Sequence, residues 1–98
     1  MTIANKEILE EFTRKHSNVK SSVEKWKLEV ATAQWASFND LHLKFPSADY
    51  VGEGRVVFNI KGNDYRLIAI VLYVIHLVEI RWIGTHAEYN KIKDCSLI

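Results

Sequence analysis

The sequence predicts an α+β fold, in which a small twisted antiparallel sheet has two N-terminal helices on one face and is followed by a short C-terminal helix. Two patterns lead to this prediction. From Ile8 to Ala33 the apolar residues recur at spacings of three and four, the period of an α-helix. From Arg55 onward, short runs rich in Val, Ile and aromatic residues are separated by turn residues, which is typical of consecutive strands.

Length and charge narrow the class of protein. With 98 residues the chain suffices for a single domain, spanning 1–98. The formal net charge of +1 is low for a free nucleic-acid binder, so any RNA contact must come from a local patch or a larger partner. One cysteine, no apolar signal segment and no apolar run long enough to span a bilayer predict a cytoplasmic protein without membrane contact.

The two N-terminal helices each have one apolar face. Asn5 is expected to cap the first helix, whose apolar side chains are Ile8, Leu9 and Phe12. The second helix carries one apolar stripe, formed by Val19, Val23, Trp26, Val30 and Ala33. Trp26 is therefore expected in the core, whereas Trp35 at the helix end could be buried or could offer a stacking surface. Pro46 ends a short helical turn, and residues 47–54 are expected to be a turn-rich connection.

The first two long strands are predicted at 56–60 and 65–69, joined by a tight turn. If Gly62 and Asn63 are the two loop residues, their tolerance of positive φ suits them to a hairpin. Side chains alternate along a strand, so this register fixes which residues share a face. The polar face then carries Asn59, Lys61 and Arg66, and the core face carries Phe58 and Leu67.

The faces of the third strand depend on the length of its preceding turn, near Ile75-His76. A loop with an even number of residues keeps Glu79 and Arg81 on the face of Arg66, and it sends Val78, Ile80 and Trp82 to the core. A three-residue loop would reverse this assignment. The face of Arg66 also carries Ile68, Ile70 and Leu72, an apolar set that either marks a partner surface or is covered by the C-terminal helix through Ile92.

The last element begins with a capping-box pattern, in which Thr85 caps and Glu88 reaches back. His86 falls in the first helical turn, and Tyr89 lies over the same side. The amides at such a helix start can bind phosphate, and Gly84 before them would let a ligand approach the backbone.

These polar residues suit metal-free cleavage of a phosphodiester. His86 is the natural acid or base, Arg66 can bind two phosphoryl oxygens at once, and Tyr89 can stack on a base or donate its hydroxyl. Further contacts to the substrate are expected from Asn59, Lys61, Arg81 and Lys91. The alternatives are an ion pair between Arg66 and Glu79, a surface role for His86 and packing for Tyr89. The histidines and the cysteine lack metal-ligand spacing, so neither a metal site nor a cofactor is expected.

Four motifs in order resemble the HigB-type toxins of bacterial type II toxin-antitoxin modules, which belong to the RelE-like superfamily. They are Phe45-Pro46-Ser47-Ala48-Asp49, Arg55-Val56-Val57-Phe58-Asn59-Ile60, Asn63-Asp64-Tyr65-Arg66-Leu67 and Gly84-Thr85-His86-Ala87-Glu88-Tyr89. The resemblance is strongest from about Leu41 to Ile92, and it adds a short first strand at Thr2-Ile3-Ala4.

The resemblance implies an endoribonuclease, an mRNA interferase that cuts mRNA on the translating ribosome. It also implies a cognate helix-turn-helix antitoxin of the HigA type. The family's strand arginine falls on Arg66, and the histidine and tyrosine of its threonine-histidine-x-x-tyrosine motif fall on His86 and Tyr89. Because the last residues here are not basic, the ribosome is expected to supply much of the RNA binding. The alternative is a non-catalytic binding module of the same fold, a degenerate toxin that acts through its antitoxin complex and promoter repression.

Overall fold

The computed structural model describes every residue from Met1 to Ile98. Its strands are β1 (Thr2–Ala4), β2 (Asp49–Gly52), β3 (Arg55–Ile60), β4 (Tyr65–Leu72) and β5 (Leu77–Thr85). Its helices are α1 (Lys6–Lys15), α2 (Lys20–Ala31), α3 (Phe38–Lys44) and α4 (His86–Tyr89), with 3₁₀ turns at Ser17–Val19 and Cys95–Leu97. None of these helices combines the length and the apolar character needed to cross a membrane.

One five-stranded sheet, in the order β1-β5-β4-β3-β2, forms the centre of the α+β fold. The predicted short first strand at Thr2–Ala4 is confirmed. It pairs with β5 in parallel, so the sheet, which is otherwise antiparallel as predicted, is mixed. The connection predicted for residues 47–54 contains β2, which pairs with β3. A strand of four residues that ends in glycine is too short to give a clear alternation in the sequence.

The hydrophobic core lies between the helices and one face of the sheet. The predicted stripe of α2 enters it, and both Trp26 and Trp35 are buried. Asn5 is the N-cap residue of α1, as predicted, but the side-chain capping bond expected there was wrong. Asn5 adopts a left-handed conformation with φ 64° and makes no capping bond, and its side-chain amide donates instead to the Ile80 carbonyl at 3.1 Å. This bond ties the start of α1 to β5.

The register predicted for the β3–β4 hairpin is confirmed. Asn59 lies opposite Arg66 and Phe58 lies opposite Leu67. The prediction for the turn itself was wrong at one position, because the positive φ values belong to Lys61 (53°) and Gly62 (65°). Local alternation thus predicted the pairing, while the conformation of the turn had to be read from the fold.

The β4–β5 hairpin has the even-length loop of the first alternative, with Leu72 opposite Leu77. A β-bulge then interrupts the ladder, because Ile80 lies opposite Ala69 and Trp82 opposite Ile68. Arg81 is the extra residue of this bulge. Beyond it the faces are exchanged, so Trp82 shares the face of Arg66 and its predicted place in the core was wrong.

Candidate functional site

Three of the predicted site residues lie together where the β3–β4 turn meets the start of α4. Arg66 Nη1 donates a hydrogen bond to the Asn63 carbonyl oxygen at 3.1 Å, and His86 Nδ1 lies 3.0 Å from that same oxygen. The Arg66 guanidinium carbon is 5.5 Å from the centre of the Tyr89 ring, a cation–π contact. Arg66, His86 and Tyr89 therefore form one cluster, which we call the Arg66 site.

The start of α4 is rigidly held, which fixes His86 and Tyr89 relative to the sheet. The predicted capping box is confirmed: the Glu88 N–H donates to Thr85 Oγ1 at 3.1 Å, and the Thr85 N–H donates to Glu88 Oε1 at 2.8 Å. The His86 N–H donates to the Asp64 carbonyl at 2.9 Å. These bonds occupy the amides of Thr85, His86 and Glu88, so the helix start offers a phosphate fewer donors than the sequence predicted.

The sequence suggested that Gly84 lets a ligand approach the backbone, but this prediction was wrong. A Cβ placed there would lie 2.5 Å from two ring carbons of Trp82. The glycine is needed because the indole ring of Trp82 packs against the strand at this position. Trp82 in turn faces Tyr89, with ring centres 6.4 Å apart.

The ionisable groups of the site differ in what they can do with a proton. Burial, and then the nearby Cys95 thiol, raise the pKa of Tyr89, so this phenol stays protonated at neutral pH. The backbone and side-chain hydrogen bonds of Thr85 lower the pKa of Glu88, which is therefore an anion beside the cluster. The Arg66 guanidinium remains charged at any physiological pH.

Two nitrogen donors of Arg66 are free to bind a ligand. The hydrogen bonds of Arg66 use only Nη1, toward the carbonyls of Asn63 and Tyr65, so Nε and Nη2 have no acceptor within the protein. Arg66 does not form the alternative ion pair with Glu79. The Glu79 carboxylate pairs with Arg81 instead, at 3.3 Å. The side of the guanidinium formed by Nε and Nη2 has the spacing that matches two oxygens of a phosphate or carboxylate.

The other predicted contact residues are less closely grouped. Asn59 is half-buried opposite Arg66, while Lys61 in the turn and Lys91 after α4 are exposed. Asn59 and Lys61 also line a cavity of about 300 Å³ beside α2, together with Lys25. Arg81 is occupied elsewhere: its Nε donates to the Ile98 carbonyl oxygen at 3.1 Å, beside its ion pair with Glu79.

The C-terminal segment lies across the face of the sheet that carries Arg66. Arg55 Nη2 donates to the same Ile98 oxygen at 3.1 Å, and Ser96 packs against Gly52 of β2. Beneath this face Val57 and Ile68 are buried although they point away from the helices. The sequence left open whether Ile68, Ile70 and Leu72 are covered by the chain itself or form a partner surface. Ile68 is covered by the chain itself, whereas Leu72 remains 42 % exposed.

The sequence analysis missed three groups that contribute to the Arg66 site or to the C-terminal segment beside it. They are the Asn63 carbonyl, the Cys95 thiol and Arg55. Asn63 was recognised only as a turn residue, and no side-chain pattern reveals where a backbone carbonyl points. Arg55 and Cys95 contribute through the path of the C-terminal segment, which no local spacing predicts. No three His, Cys, Asp or Glu side chains lie close enough together to hold a metal ion.

The comparison with known proteins agrees with the geometry of the fold. A search of curated proteins gave no match to the chain. A family model described as HigB_toxin, the RelE-like toxic component of a toxin-antitoxin system, matches residues 19–92, which include β2 to β5 and the whole Arg66 site. The chain therefore belongs to the HigB toxin family and is the toxin component of a toxin-antitoxin system.

Proposed function

We propose that this toxin is an endoribonuclease that cleaves mRNA on the translating ribosome without a metal ion. The observation that supports this proposal best is the cluster itself, in which a histidine and an arginine with unused donors are held by one carbonyl oxygen. A proton-transfer group beside a phosphate-binding fork is the minimum that RNA cleavage requires.

In the proposed reaction a base takes the proton of the 2′-hydroxyl, and the 2′-oxygen attacks the adjacent phosphorus. The bond to the 5′-oxygen breaks, and that oxygen leaves with a proton as a 5′-hydroxyl. The other product is a 2′,3′-cyclic phosphate, which water can open to a 3′-phosphate. Atoms and charge balance without a metal or a cofactor, provided that the charge gathering on the phosphoryl oxygens is stabilised.

Each residue of the Arg66 site has a different proposed part. Arg66 binds the phosphoryl oxygens through Nε and Nη2, the donors that have no acceptor in the protein. His86 carries the proton, since histidine is the residue type in the cluster that most often serves as a general acid or base. Tyr89 cannot serve as a base, because its raised pKa keeps the hydroxyl protonated, so it stacks on a base or donates a hydrogen bond.

The flanking RNA is proposed to run past Asn59, which lies opposite Arg66 in the sheet, and past the exposed side chains of Lys61 and Lys91. These few positive groups and a net charge of +1 predict weak binding to free RNA. Presentation of the mRNA by the ribosome would supply the missing affinity. Arg81 was predicted as a substrate contact, but its bonds to Ile98 and Glu79 now make it a weaker candidate.

Inducible expression in a bacterial host tests the proposal. We expect growth arrest and cleaved mRNA, both relieved by the cognate antitoxin. Arg66→Ala should lift the arrest, while Arg14→Ala, an exposed arginine on α1, should not. Unaffected growth with intact mRNA would instead support the non-catalytic module that acts through its antitoxin complex.

Independence from metal needs a separate assay, because ribosomes themselves require magnesium. Purified toxin at high concentration should cut a short single-stranded RNA in the presence of a chelator. A reaction that stops when the chelator is added, and returns with magnesium, would contradict the proposed chemistry.

Membership of the family implies an antitoxin, which we propose to be a helix-turn-helix protein that covers the Arg66 site. The site is accessible to solvent, so a partner that covers it blocks it directly. The antitoxin could do this by adding a strand to the sheet edge or by laying a helix over the cluster. Hydrogen exchange of the toxin with and without antitoxin should show protection between Arg66 and Tyr89. Protection confined to α1 and α2 would instead mean that the antitoxin blocks ribosome entry from the far side.

A further inference from the structure

The turn between β3 and β4 presents two successive carbonyl groups to the first residue of α4. Lys61 and Gly62 adopt left-handed conformations, and the Asp64 N–H closes the turn by donating to the Lys61 carbonyl at 3.3 Å. The Asn63 carbonyl then meets the ring of His86, and the Asp64 carbonyl meets its backbone N–H at 2.9 Å. His86 is thus held at both ends by one short turn.

A carbonyl oxygen can only accept a hydrogen bond, so the nitrogen facing it must carry the proton. The 3.0 Å contact between the Asn63 oxygen and His86 Nδ1 therefore requires the Nδ1–H form of the ring. An unconstrained neutral imidazole in water favours the proton on Nε2, so this contact selects the less common tautomer. The ring nitrogen left without a partner in the protein is Nε2.

We propose that the Asn63 carbonyl is the positioning group of this site: it fixes His86 as the Nδ1–H tautomer and leaves Nε2 as the atom that exchanges a proton with the RNA. The second half of this statement rests on the proposed endoribonuclease function. The neutral ring offers a lone pair at Nε2 to the 2′-hydroxyl, and the protonated ring offers an N–H there to the leaving oxygen.

The same oxygen also orients Arg66, since Nη1 donates to it at 3.1 Å. A carbonyl oxygen has two lone pairs and can serve both donors at once. The proton carrier and the phosphate-binding fork are therefore set by one atom, and a shift of the turn would displace both together. Misplacement of reacting groups by about 1 Å can lower a rate by about a hundredfold.

Gly62 and Asn63 supply a matched pair of variants. Gly62 has φ 65°, and a Cβ at this position would meet nothing within 4 Å. Gly62→Val therefore strains the backbone of the turn without a clash, because a β-branched residue strongly disfavours this conformation. The Asn63 side chain makes no hydrogen bond, since both contacts use the backbone carbonyl. Asn63→Ala therefore keeps the carbonyl in place and serves as the control.

The test is a long-range ¹H–¹⁵N spectrum of the imidazoles in the labelled, RNA-free protein, with the His86 signals identified by their loss in His86→Gln. We expect a protonated Nδ1 and an unprotonated Nε2 for neutral His86 in the wild type and in Asn63→Ala. Gly62→Val should move the signals toward the Nε2–H form and lower RNA cleavage roughly tenfold to a hundredfold.

The wild-type spectrum decides the proposal even if a variant folds poorly. A neutral His86 with its proton on Nε2 would overturn it, and so would an Asn63→Ala spectrum that changes as much as that of Gly62→Val. The proposed function and the positioning role of the Asn63 carbonyl can be refuted separately. A fixed Nδ1–H tautomer in a protein that cuts no RNA would refute the proposed function alone, whereas RNA cleavage by a ring without a fixed tautomer would refute the positioning role alone.

Discussion

The two faces of the sheet are built on different principles. The face under the helices is packed mainly by apolar side chains, with Phe58 and Leu67 at its centre, both essentially inaccessible to solvent. The opposite face mixes buried apolar residues with Arg66, Trp82 and Tyr89, and it is covered by the C-terminal segment instead of a helix layer. The difference teaches that the apolar core and the proposed RNA-cleaving site lie on separate faces, so single substitutions should be able to separate their effects.

The largest effect is expected on the helix face. Phe58 contacts Trp26 and Phe45 edge-on, at ring-centre distances of 5.2 and 5.3 Å. Phe58→Ala should lower the free energy of unfolding by roughly 3–5 kcal/mol, because the cavity left among these rings cannot fully collapse. Urea denaturation measures this loss. A loss below about 1 kcal/mol would mean that this face is less tightly packed than the contacts imply.

On the opposite face, Arg66→Ala should act on catalysis instead. Loss of one preorganised donor typically lowers a rate by about 10²–10³-fold, or about 2.7–4 kcal/mol of barrier. The free energy of unfolding should fall by less than about 1 kcal/mol, the cation–π contact with Tyr89 being its main loss. Cleavage assays and urea denaturation on the same preparation compare the two effects. If Arg66→Ala unfolds as readily as Phe58→Ala, the separation of the faces is wrong.

Arg81 lies on the same side of the sheet but serves the C-terminal segment. Arg81→Ala should lower the unfolding free energy by about 1 kcal/mol, because one hydrogen bond to Ile98 and one partly exposed ion pair are lost. Hydrogen exchange should rise in residues 91–98, while RNA cleavage stays near the wild-type rate. A loss of cleavage as large as that of Arg66→Ala would restore Arg81 to the substrate-binding set.

The smallest effect is expected at the capping box of α4. The pKa of Glu88 is lowered by its hydrogen bonds to Thr85, so its contribution to stability is present above the ordinary value of 4.5 and is lost as the pH falls through the lower folded value. Because Glu88 is exposed, this contribution is at most a few tenths of a kcal/mol. Wild type should exceed Glu88→Gln in urea midpoint near neutral pH, and the two should converge in acid. A gap that is constant with pH would show that the charge contributes nothing.

The elements predicted correctly are those whose partners are close in sequence. The pairing of Asn59 with Arg66 follows from alternation across one short turn, and the capping box of Thr85 and Glu88 needs only four residues. Trp26 follows from a helical stripe. In each case the sequence pattern that predicts the feature is local, so the residues that form it can be recognised together.

The errors share a different cause. The bulge at Arg81 reverses every side chain beyond it, and nothing near Arg81 in the sequence signals it. The Nδ1 contact of His86 depends on the orientation of a carbonyl group, and carbonyl orientation leaves no trace in a side-chain pattern. The sequence could therefore name Arg66, His86 and Tyr89 but could not say which atom of each was free to act.

By itself the sequence determined the α+β class, the helix stripes, the register of the β3–β4 hairpin and the capping box of α4, because periodicity and capping are properties of neighbouring residues. Only the tertiary structure decided the parallel pairing of β1, the bulge in β5, the path of the C-terminal segment to Arg55 and Arg81, and the sharing of the Asn63 oxygen by Arg66 and His86. The pairing of β1, the contacts of the C-terminal segment and the contact between Asn63 and His86 join segments far apart in the chain. Their free energies come from contacts that exist only once the whole sheet has formed.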